Sequence, residues 1–159
     1  MLIIKLILIT AFLIVFLQDY KERQVYWFMF LIVGCLSGFL FYKSTLPELF
    51  ITSVLLNIGF VGVLVFVMYL YAKLKLRTNL LSTIGLGDLF LFLALAVSFS
   101  TISFIVIFIS SLIFSLLVHL YVSKHKKMET VPLAGYMSLF FLMSYMFHWS
   151  GFVNVVYTL

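Results

Sequence analysis

Two acids in this sequence stand where a carboxylate could do chemistry. Asp88 closes the run Gly85-Leu86-Gly87-Asp88 at the edge of a long apolar stretch, and Asp19 follows the first apolar stretch, in Asp19-Tyr20-Lys21-Glu22-Arg23. A charged group at the centre of a membrane helix costs at least about 2.5–3.5 kcal/mol, so an acid kept at such a place is a functional candidate by default. Two carboxylates that approach one another do not both ionise easily. One holds a proton and serves as general acid, while the other activates water as general base. That pairing hydrolyses a peptide bond and needs no metal. Gly85 and Gly87 would let the backbone turn and let a substrate strand come close. The remaining acids are Glu22, Glu48 and Glu129.

The elements that must position these acids are membrane helices. The chain is 65% hydrophobic and 9% charged, with a mean hydropathy of +1.29, against about 25% charged residues in soluble domains. The apolar runs are long and lack strand alternation, which favours helices over a barrel. The whole chain, 1–159, reads as one membrane-embedded all-α domain. Apolar runs cover 2–17, 25–42 and 49–72, and a basic connector covers 73–83. The next stretch, 89–122, holds no Asp, Glu, Lys or Arg over 34 residues. As one straight helix it would reach about 51 Å, well beyond a hydrocarbon core of about 30 Å. It must therefore turn, and Ser98, Ser100, Thr101 and Ser103 mark the place. The expectation is a short fourth helix over 84–97, a fifth over 102–122 and a sixth over 132–149, with Pro132 in a first-turn position. A re-entrant fourth segment is the alternative.

Orientation follows from the cations. With the N-terminus outside, the inner loops hold Lys21, Arg23, Lys73, Lys75, Arg77, Lys124, Lys126 and Lys127, and the outer side holds Lys5 and Lys43. Eight of ten on one side predicts six transmembrane helices, N-out and C-out, and argues against the re-entrant segment. Asp19 and Asp88 then lie at one membrane level, although 69 positions apart.

Plainer readings stand beside these. Asp19 could be a solvated acid offsetting Lys21 and Arg23, and Asp88 an acid favoured by the dipole at a helix start. Gly85 and Gly87 could simply form a turn. Lys21 and Arg23 read as topology determinants and lipid-headgroup contacts, or as substrate contacts. The basic loops sit between spans and do not suggest nucleic acid. Cys35 is the single cysteine, which excludes an intrachain disulfide and a multi-cysteine zinc site. No cofactor is implied. His119 and His148 face no evident ligand partner. Tyr26, Trp27, Tyr121 and Trp149 fit an aromatic belt. Gly34 and Gly38 form a small-residue stripe that suits close helix packing, including between two copies.

Gly85-Leu86-Gly87-Asp88 matches the GxGD motif of intramembrane aspartic proteases. Asp19-Tyr20-Lys21-Glu22-Arg23-Gln24-Val25 resembles the D-x-K/R-x-R-x-I/V element after the first helix of type IV prepilin peptidases and archaeal preflagellin peptidases. Val131-Pro132-Leu133-Ala134-Gly135 is similar to the opening of that family's last helix. The resemblance covers nearly the whole chain and its six-helix layout. It implies an aspartic endopeptidase of the cytoplasmic (inner) membrane that removes short basic leaders from pilin-like precursors, with Asp19 and Asp88 as the catalytic pair. The chain resembles the short, protease-only forms, because the segment joining the first two helices is brief and lacks cysteines. Three positions depart from the pattern. Tyr26 and Trp27 stand where a Pro-Asn often ends the first element, and Phe90 replaces the Lys common two residues after the GxGD aspartate. These departures motivate a different reading, a noncatalytic scaffold of an export or envelope assembly. Presenilin-type proteases also carry GxGD, but their Tyr-Asp and Pro-Ala-Leu orders are poorly matched by Asp19-Tyr20 and Pro132-Leu133-Ala134.

Overall fold

The computed structural model describes residues 1–76, 85–123, 131–151 and 157. Arg77, Glu129 and the cluster Lys124-His125-Lys126-Lys127 lie outside the described residues. The described chain forms six α-helices and no strand. They are α1 (Leu2–Glu22), α2 (Trp27–Ser44), α3 (Pro47–Tyr71), α4 (Leu86–Ala96), α5 (Thr101–Ser123) and α6 (Leu133–Trp149). A single π-helical stretch, Ala72–Leu76, continues α3. Four helical segments are long and apolar enough to cross a membrane, namely α1, α2, α3 with its continuation, and α5. In hydrocarbon no water satisfies the backbone, and a helix pairs its N–H and C=O groups within the segment. α6, with 17 residues, and α4, with 11, are shorter.

α1 runs five residues past the apolar stretch 2–17, so Asp19 stands in the helix's last turn and not in a loop. Gln18, Lys21 and Glu22 are good helix formers and continue it. Arg23 ends it in the left-handed conformation (φ 57, ψ 19), and its N–H donates to the Asp19 carbonyl at 3.2 Å. Arg23 has the only positive φ of any non-glycine among the described residues, a conformation that costs about 1–2 kcal/mol without glycine. Pro47 opens α3 in its first turn, where no N–H is needed. Pro132 sits one residue earlier than expected, as the residue before α6 begins.

The apolar stretch 89–122 turns where its serines stand. The Ser98 N–H donates to Leu95 at 3.0 Å, and α5 restarts with Phe104 N–H on the Ser100 carbonyl at 2.8 Å. Asn57, fully buried on α3, secures this corner from the side. Its Nδ2 donates to the carbonyls of Ala96 at 2.9 Å and Phe99 at 3.0 Å. Carbonyls at a helix end have no partner within the helix, so one side chain both meets that need and ties α3 to α4.

α1 packs on α6 and α2, α6 on α5, α2 on α4, and α3 on α4 and α5. Phenylalanines fill the middle, with Phe92 against Phe108 (centroids 5.1 Å) and Phe99 against Tyr145 (4.7 Å). A Cβ built on Gly34 would lie 3.4 Å from Ala94 of α4, and one on Gly38 3.4 Å from Val97, the residue that follows α4. The small-residue stripe therefore seats α4 inside the chain. At the end opposite Asp19, Lys5 lies over the Trp149 ring at 4.9 Å. α3 exposes Leu55, Leu56, Val63 and Phe66, the apolar surface a lipid-facing helix presents.

Candidate active site

Three helix ends meet at one end of the bundle. The last turn of α1 supplies Asp19, the first turn of α4 supplies Asp88, and the first turn of α6 lies beside both. Asp19 is buried, and the Gly135 N–H donates to its Oδ2 at 2.6 Å. The Asp88 carboxylate interacts with the backbone N–H of Ala134 and with that of Gly85. Consecutive amides of α6 thus each serve one aspartate. They belong to a helix N-terminus, where unpaired N–H groups and the dipole favour negative charge. The two carboxylates are close enough to act on one another electrostatically, and Arg23 acts on Asp19 in the same way.

Asp88 reaches Gly85 as the third residue of a helix reaches back to its cap, and its own N–H donates to the Gly85 carbonyl at 3.1 Å. The helix-start reading of Asp88 is therefore correct as far as it goes. It is also compatible with a second role, because the same carboxylate faces Ala134 and Asp19.

Both aspartates line a cleft of about 850 Å³, within the usual range of about 300–1,000 Å³ for ligand sites. Arg23, Gln24 and Val25 border it, as do Gly85, Leu86 and Gly87. α5 contributes Leu112, Ser115 and Leu116, and Val131, Leu133 and Ala134 complete the lining. Among the described residues no three His, Cys, Asp or Glu side chains form a group that could hold a metal ion.

The residues singled out in sequence divide clearly. Asp19, Asp88, Gly85, Gly87 and Arg23 come together at the cleft, while Lys21 is exposed and outside its lining. Gly85 has φ −63, and the only glycine with positive φ among the described residues is Gly151. Neither Gly85 nor Gly87 therefore holds a backbone conformation that requires glycine, contrary to the expectation. A Cβ on Gly85 or Gly87 would meet its nearest atom at 3.4 or 3.6 Å, so what these glycines provide is an open wall. Phe90 stacks on Phe30 (6.5 Å), and Trp27 lies with them along an apolar groove between α2 and α4, away from the carboxylates. Tyr26 is exposed and stacks on Phe28. The departures at these three positions thus leave the cleft lining untouched. His119 and His148 do not line the cleft.

Sequence reasoning missed Gly135 as a site residue. A Cβ there would lie 3.1 Å from Asp19 Oδ2, 3.2 Å from Asp19 Cβ and 3.3 Å from the Phe16 carbonyl oxygen. A side chain here would push α6 and α1 apart by a few tenths of an ångström, so glycine suits this close approach. The available signal was the small pair Ala134-Gly135, which follows Pro132-Leu133. Ser115 was missed as well, since one serine on an apolar helix carries no signal of its own.

No protein-family model, curated protein or solved structure matches this chain.

Proposed function

We propose that this protein is an intramembrane aspartic endopeptidase that removes short basic leaders from pilin-like precursors at the cytoplasmic face of the membrane. The observation that carries this reading is the convergence of Asp19 and Asp88 on one cleft, each facing one of two consecutive amides, Ala134 and Gly135. One carboxyl holds a proton and donates it toward the scissile carbonyl oxygen. The other, ionised, takes a proton from water, and the resulting hydroxide adds to the carbonyl carbon. The tetrahedral intermediate collapses as the newly protonated carboxyl gives its proton to the leaving amine and the ionised one takes a proton from a hydroxyl of the intermediate, so the pair again shares one. No cofactor enters. The amides of α6 hold the carboxylates in place, a positioning that costs nothing at the moment of reaction.

The cation distribution supports six spans with both termini outside, which sets this end of the bundle against the cytoplasm. Its exposed cations contact lipid headgroups there. The precursor enters with its apolar helix in the membrane and its leader at the surface. The noncatalytic alternative drew on Phe90, Tyr26 and Trp27, and these residues stand outside the cleft, so the catalytic reading is the better supported. Co-expression of the full chain with a pilin-like precursor tests it: Asp19→Asn and Asp88→Asn should each leave the precursor full-length, and processing by either variant would overturn the assignment.

A further inference from the structure

Serines in this bundle turn their hydroxyls onto their own helices. Ser37, Ser44, Ser111, Ser138 and Ser144 each donate to a carbonyl three or four residues earlier, at 2.7–3.2 Å. This is the ordinary way to satisfy a hydroxyl in an apolar helix. Ser115 does not do so. It is fully buried, and its Oγ has no hydrogen-bond partner among the described residues. Of the buried polar atoms left without a partner, the Ser115 hydroxyl alone belongs to a residue lining the cleft with Asp19 and Asp88.

We infer that the Ser115 hydroxyl is a substrate-positioning group, donating to a backbone carbonyl of the precursor strand held beside the two aspartates. The inference rests on the peptidase reading and adds a recognition group to it. A strand presented for hydrolysis is extended, and its carbonyls have left the partners that a helix or water supplied. Against the α5 wall of the cleft, whose other lining residues are leucines, such groups need replacements. Leu112, Ser115 and Leu116 lie three and four apart on one face of α5, the spacing that brings side chains together. The leucines form an apolar wall, and the serine is the one hydrogen-bonding side chain between them. Among the described residues the hydroxyl has no existing bond to break before it can donate to a bound strand.

A substrate role and a structural role predict opposite effects on stability. Removing an unpartnered buried hydroxyl leaves the fold unchanged or firmer, whereas removing a hydrogen-bonded one weakens it. The probes are a synthetic precursor, with a short basic leader and an apolar helix, and an uncleavable hydroxyethylene isostere of the same sequence. With the full-length protein, Ser115→Ala should lower kcat/KM for the precursor about 10²-fold, the scale set by loss of one donor at a reacting carbonyl. It should weaken isostere binding about tenfold, with a melting temperature equal to or above wild type. Ser115→Cys, of similar shape but a weaker donor, should fall between the two. Unchanged kcat/KM and isostere binding, or a lowered melting temperature, would overturn the inference. If Asp88→Asn abolishes cleavage while Ser115→Ala is silent, this inference fails alone. If Asp88→Asn still cleaves, the peptidase reading fails and takes this role with it.

Discussion

The backbone N–H of Gly135 donates to Oδ2 of Asp19 at 2.6 Å, joining residues 116 positions apart. The bond fixes the start of α6 against the end of α1, and the neighbouring Ala134 amide faces Asp88. One helix start thereby sets both carboxylates at once.

Asp19→Asn and Asp88→Asn should each reduce cleavage by about 10⁴-fold, the scale of losing one member of a catalytic unit. Residues that act as a unit are not additive, so the double variant should be no slower than the worse single one. Quantifying processed and unprocessed precursor in membranes expressing each variant tests this, and independent contributions from the two acids would contradict a shared site.

Gly135→Ala should lower stability by about 1–3 kcal/mol, the usual range for overpacking, and abolish cleavage. The added methyl meets Asp19 and the Phe16 carbonyl at 3.1–3.3 Å, and backbone cannot give way cheaply. Gly59→Ala and Gly62→Ala are the controls, since nothing lies within 4 Å of either added Cβ. Thermal unfolding in detergent should separate Gly135→Ala from both. Equal midpoints would refute the steric account.

Gly85→Ala and Gly87→Ala should fold with stability within about 0.5 kcal/mol of wild type, as surface changes usually do. Both line the cleft, but the Gly85 methyl lies beside Asp88 Oδ2 at 3.4 Å and obstructs substrate, whereas the Gly87 methyl meets Phe30 at 3.6 Å and affects cleavage less. A raised KM with little change in melting temperature is the expected pattern. A large drop in melting temperature would restore the idea that the turn itself needs glycine.

Cleavage should pass through a maximum with pH and fall on both sides. At low pH both carboxyls are protonated and no base remains. At high pH both are ionised and no acid remains. The two limbs belong to the pair and not to either residue. Initial rates on a synthetic precursor across the pH range measure this, and a rate that only rises or only falls would exclude a shared proton.

Asn57→Leu should destabilise the bundle by about 1–3 kcal/mol, the cost of leaving buried groups unmet. The substitution frees the Ala96 and Phe99 carbonyls at the corner between α4 and α5. Thermal unfolding gives the size of the effect, and a midpoint at or above wild type would show that the corner holds without it.

Much of this molecule was legible along the chain. Mean hydropathy and the near absence of acids fixed the class, because no soluble core could hide so much apolar surface. The serines at 98 and 100 marked the corner in the stretch 89–122, because one helix of that length outruns a bilayer. Asp19 and Asp88 stood out by the energetic cost of an acid beside hydrocarbon. These are local properties, summed over neighbouring residues, and a sequence contains them in full.

Tertiary structure decided which groups meet across the bundle. It placed the Gly135 amide on Asp19, Asn57 on the end of α4, Gly34 and Gly38 against Ala94 and Val97, and Phe90 outside the cleft. It also left the Ser115 hydroxyl without a partner among the described residues. In a soluble helix a polar face would have pointed away from such contacts. Here both lipid-facing and core-facing sides are apolar, so hydropathy says where each helix runs and is silent on how it is rotated. Rotation is set by packing, small residues and a few polar bonds, and those arise between segments far apart in the chain.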